Sequence, residues 1–212
     1  IIDMFVKDAA EEEKAQLEKM KSLMNKWFAA YGNEAAGTFS YRAGTPPFEF
    51  SQIIQITDAK AINELQKETI EPINSIYSSM GLNMDFTYAA SVEKYKGTDI
   101  GLYQFKFKGD DATSGAIESL YGKQGLQYPL ATTSDLFMMS LGPDAMNQLK
   151  AMIDNPKAGP ATGEIKAALD AIPDSSKAEF VMSANILSLM KGMTDMARQM
   201  SPGGESEIPD FW

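Results

Sequence analysis

The sequence predicts an α+β domain with a mainly antiparallel, curved sheet built from repeated strand-strand-helix units, with helices packed on one face. Three observations carry this expectation. Extended runs come in pairs joined by short turns, which makes neighbouring strands antiparallel. Each pair is followed by a stretch of helical periodicity, about three times over, behind an extra helix at the start. Apolar residues alternate along the runs, so one sheet face packs on helices. The pattern is not that of a doubly wound nucleotide-binding fold.

Residues 8–31 read as an amphipathic helix. Asp8 with Glu11 makes a start like a capping box, and Leu17, Met20, Met24, Trp27, Phe28 and Tyr31 recur at helical spacing until Gly32-Asn33 stops them. Two extended runs follow, Gly37 to Ala43 and Phe48 to Thr57, and the second sets Phe48, Phe50, Ile54 and Ile56 on one face. Thr57 or Asp58 caps the next helix, which carries Ile62, Leu65, Thr69, Ile73, Ile76, Tyr77 and Met80 inward to Gly81. Pro72 lies inside that stretch and predicts a kink or a break.

Met84 to Lys94 and Asp99 to Lys108 flank the turn Tyr95-Lys96-Gly97-Thr98, a hairpin signal. A short helix at 113–121 leads to extended runs at 126–132 and 134–141. Pro143 then opens a helix with Met146, Leu149, Met152 and Ile153 inward. Beyond a Pro/Gly-rich loop at 155–163 come a short helix at 164–172, a strand at 178–184 and a Met-rich helix ending near Met200. The expected domain spans 1–200: helix 8–31, repeated units 37–155 and a helix-strand-helix end at 162–200. Residues 201–212 (SPGGESEIPDFW) have the composition of a linker into a further C-terminal region.

Composition excludes whole classes of chemistry. The chain has no His and no Cys among 212 residues, so a Ser-His-Asp triad, a Cys-His dyad, a zinc finger and an imidazole pH switch are all ruled out. With 19 Lys+Arg against 29 Asp+Glu the net charge is −10, which argues against binding a nucleic-acid backbone. No apolar run approaches the ~20 residues of a membrane span. The absence of cysteine suits an exported, periplasmic or cell-envelope setting. The chain opens on Ile1, so a removed signal peptide or lipid anchor would leave no trace in it.

Each short motif also has a plain structural reading. No phosphate-binding glycine loop occurs. The acidic loop Gly109 to Gly115 repels phosphate, and as a calcium loop it fails because Tyr121 stands where the twelfth-position Glu belongs. Asp110 and Asp111 read as a helix start. Two Ser-x-x-Lys matches, Ser91 to Lys94 and Ser188 to Lys191, are short enough to arise by chance, and the first lies on a strand, where i and i+3 face opposite ways. Glu11, Glu12, Glu13, Asp144 and Glu164 sit in first helical turns, where acids suit the helix dipole. Tyr103, Phe105 and Phe107 share a strand face and read as core. Lys94, Lys96, Lys106 and Lys108 read as guards of an exposed edge.

Fourteen methionines are the remaining peculiarity. Met138 and Met139 fall in a strand. Met190, Met193, Met196 and Met200 run along the last helix beside Ile186 and Leu189, and read either as core filler or as an adaptable apolar surface. These six residues are the candidate partner-binding site.

The segments Tyr95-Lys96-Gly97-Thr98-Asp99-Ile100, Leu136 to Ala145 (LFMMSLGPDA) and Ala167 to Phe180 (AALDAIPDSSKAEF) together resemble exported bacterial proteins of unknown function of the planctomycete type, over residues 85–190. The resemblance implies export and carries over no catalytic residue.

The expected function is therefore a non-enzymatic, exported binding or assembly domain working through apolar surface, with a protein partner or by self-association. It expects no cofactor, no metal and no nucleic acid. A periplasmic carrier of a lipid or other apolar ligand is the second reading, and a carboxylate-dependent hydrolase the third.

Overall fold

A computed structural model describes residues 11–41, 45–79, 81–108, 118–156, 166–167, 170–171 and 186–200. The chain divides into two compact units, Ile1–Ile153 and Asp154–Trp212. The first holds α1 (Glu11–Ala30), β1 (Tyr31–Tyr41), β2 (Phe48–Ile56), α2 (Ala59–Glu68), α3 (Ile70–Ser79), β3 (Met84–Tyr95), β4 (Thr98–Phe107), β5 (Leu126–Thr132), β6 (Leu136–Leu141) and nearly all of α4 (Ala145–Asp154). The second holds α5 (Ile186–Met200). The strand expected at 178–184 lies outside the described residues.

The fold is α+β. All five strand pairings are antiparallel, in the order β1-β2-β6-β5-β4-β3. The β3–β4 hairpin turns on Lys96 and Gly97, whose φ values of 48° and 87° are those of a two-residue type I′ turn. Proline is tolerated inside β5 because Pro129 pairs only with Leu102 of β4. Pairing to β6 begins at Leu130, so no bond is lost on that side.

Sequence signals explain the helix boundaries on the first face. Asp58 accepts from the Ala61 N–H at 2.9 Å and caps α2. The break before Pro72 falls at Thr69, which puts Pro72 in the first turn of α3, where a missing N–H costs little. Helix α1 runs straight into β1 at Tyr31, six residues before the expected start of the strand. Gly32 fits there because a Cβ would collide with the Gln55 side chain, whose Oε1 takes the Asn33 N–H at 3.0 Å.

The rotation of α1 differs from the periodic expectation. Leu23 and Ala30 are buried, with Met20 and Trp27 beside them, while Met24 and Phe28 face out. Trp27 decides this: its Nε1 donates to Thr69 Oγ1 at 3.1 Å and its ring lies 5.8 Å from Phe137.

The arrangement of helices on one face is corrected. Helices α1, α2 and α3 cover one face, over Ile56, Ile62, Leu65, Phe86, Tyr103, Leu130 and Phe137. Helix α4 covers part of the other, where Leu149 packs on Ile100, Ala131 and Met138. Neighbours Phe137 and Met138 of β6 thus point into different cores, as alternation requires. The strands carry apolar residues on both faces, and Ile53, Met138 and Ala131 needed a second helix to cover them.

Candidate functional site

The predicted site residues lie on α5. Ile186, Leu189, Met190 and Met193 are exposed, at 58, 37, 51 and 52%. Positions i, i+3, i+4 and i+7 share one side of a helix, so these four form a continuous apolar stripe. Met196 and Met200 continue it along the α5 backbone, and their side chains lie outside the described residues. The spacing 186, 189, 193, 196, 200 alternates three and four, the seam of a coiled coil. Lys191 and Asp195, an i,i+4 ion pair at 2.6 Å, stand off this seam.

That pair also bears on the second Ser-x-x-Lys match. Lys191 is an exposed ammonium bound to a carboxylate, unlike the desolvated amine that a serine–lysine nucleophile needs. In the first match, Ser91 donates to Asp99 Oδ1 at 3.1 Å. Asp110 and Asp111 lie outside the described residues. None of the described helices is long and apolar enough to cross a membrane.

A groove of about 740 Å³ opens in the first unit between α2 and the β3–β4–β5 end of the sheet. Its walls are mostly polar, including Asn63, Lys67, Ser91, Asp99 and Thr132. Its base is a network centred on Gln66, a buried amide that nothing in the sequence marks out. Tyr88 Oη donates to Gln66 Oε1, Gln66 Nε2 donates to Thr132 Oγ1 at 3.0 Å, and Tyr103 Oη donates to the Gln66 carbonyl at 3.1 Å. Burial pushes the Tyr103 hydroxyl pKa up, reinforced by Tyr88 and Tyr31. Burial likewise raises those of Tyr88 and Tyr31. The network anchors α2 to the sheet with its polar atoms paired to one another. Between α2 and the sheet, Ile62, Leu65, Leu130 and Phe137 fill the space.

Comparison with protein-family models, with curated proteins and with solved structures finds no match to this chain.

Proposed function

We propose that the chain is a non-enzymatic binding and assembly domain of an exported protein, and that its working surface is the apolar seam of α5, which pairs with a helix carrying a like seam. The observation that carries this is the exposure of large apolar side chains at three successive seam positions, Ile186, Leu189 and Met193, with Met190 exposed beside them. Soluble proteins rarely leave such a patch bare without a partner for it. Being 37–58% exposed, each of these side chains gains about half of the roughly 1.5–3 kcal/mol of a full burial, before the cost of association is subtracted. Methionine's flexible thioether lets the seam adapt to its partner. The lack of cysteine supports the exported setting.

Native mass spectrometry of the protein purified from its source tests the reading. The wild-type chain is expected to carry more bound protein mass than the variant with Leu189→Lys and Met193→Lys. A wild-type chain that flies alone, or one that carries the same protein mass as the double variant, refutes the proposal.

A further inference from the structure

The two strands that end the sheet differ in how their outer edges are treated. On β3 the edge is blocked. The N–H of Phe86 donates to Asn74 Oδ1 and its carbonyl accepts from Asn74 Nδ2, both at 2.8 Å, so an α3 side chain occupies the outward-pointing backbone there. A bulge between Ala89 and Glu93 then breaks the line of the strand, and Lys94 follows.

Strand β1 has an irregular step too, but it lies ahead of Ala35, and the stretch beyond it carries no plug. Ala35 to Tyr41 pairs with Ile54 to Phe48 in seven consecutive regular steps, without a charge or a proline. Every residue from Asn33 to Ser40 is exposed, including Phe39 at 53%. Among the described residues, no side chain bonds the backbone of 35–41. An open edge of this kind, regular and uncharged over 35–41, is a template for another strand.

We propose that β1 pairs antiparallel with β1 of a second copy across a two-fold axis at Gly37, joining two six-stranded sheets into one. A strand paired with itself in this way sets one residue opposite its own copy. With Gly37 on the axis, Phe39 stands opposite Ala35 and Thr38 opposite Ala36, all within the regular stretch. The large ring meets a small side chain, and the one charge of β1, Glu34, stays outside the paired stretch. This large-to-small match of an uncharged stretch to itself, with no like charges brought face to face, is the reason for choosing a second copy as the occupant. The proposal is independent of the α5 seam.

Sedimentation velocity over about a hundredfold range of concentration tests it. The wild-type chain is expected to form a reversible dimer. Ala36→Lys with Thr38→Lys sets like charges directly opposite each other twice and is expected to leave single chains. Ala36→Lys with Thr38→Glu sets opposite charges there and is expected to keep the dimer. Leu189→Lys, on α5, is expected to keep it as well. A wild-type chain that stays single throughout overturns the proposal, as does a dimer untouched by the double-lysine variant or dissolved by Leu189→Lys. Should the double-lysine variant fail to fold by circular dichroism, amide exchange in wild-type β1 decides: protection that rises with concentration supports the pairing, and constant exchange overturns it.

Discussion

Tyr103 makes the fold sensitive to alkali in a way one substitution can isolate. Its side chain is 8% exposed, and its hydroxyl donates to the Gln66 carbonyl at 3.1 Å. Burial first, then the adjacent Tyr88 and Tyr31 hydroxyls, hold its pKa above the ordinary value of 10.0. The folded pKa therefore exceeds the unfolded one. The associated stability is fully present below pH 10 and is lost as pH rises toward the folded value. At pH 11 the unfolded chain has released this proton while the fold retains it, and linkage sets the loss from Tyr103 at about 1.4 kcal/mol. Tyr103→Phe removes that loss along with the bond to Gln66, which costs about 1 kcal/mol at neutral pH. Urea unfolding followed by circular dichroism at pH 7, 9, 10 and 11 should thus find the variant less stable at pH 7 and level with wild type near pH 11. A stability gap that stays constant up to pH 11 refutes the assignment. Between pH 5 and 8 no imidazole is present to titrate, so stability carries no histidine-linked step there.

Other substitutions probe the framework. Leu149→Ala empties the centre of the core under α4 and should cost about 2–5 kcal/mol in urea unfolding, with the slope unchanged. Gly97→Ala strains a φ of +87° in open space and should cost about 1–2 kcal/mol. Gly125→Ala, at a φ of +72°, also drives its Cβ to 2.0 Å from the Phe105 carbonyl oxygen, so its midpoint should fall well below that of Gly97→Ala. Asn74→Ala removes two bonds to Phe86, about 2 kcal/mol together, and uncovers the β3 edge. Light scattering should find it more prone to aggregate than wild type, and equal solubility would count against the blocked-edge account.

Much of the first unit was legible in the sequence because its signals are local. The Lys96-Gly97 turn, the Asp58 cap and the break ahead of Pro72 each follow from the conformational limits of a few adjacent residues. The alternation of Ile54 and Ile56 on β2 gave the covered face for the same reason. The inward side of α1 was not legible, since its periodicity allows neighbouring stripes. Trp27 reaching Thr69 and Phe137 chose between them. Gln66 gave no signal at all, because its place at the base of the groove depends on Tyr88, Tyr103 and Thr132 arriving from three different strands.

The candidate surfaces divide in the same way. The stripe of Ile186, Leu189, Met190 and Met193 is a property of helical spacing, and the sequence alone placed it on one face of α5. That β1 ends the sheet and β3 is guarded by Asn74 depends on strand order, which the alternation of residues does not encode. By itself the sequence determined most elements of the first unit, their pairing into hairpins and the exclusion of histidine and cysteine chemistry. Only the tertiary structure decided which strand edges are open and which apolar faces are covered, because burial is set by long-range contacts between segments far apart in the chain.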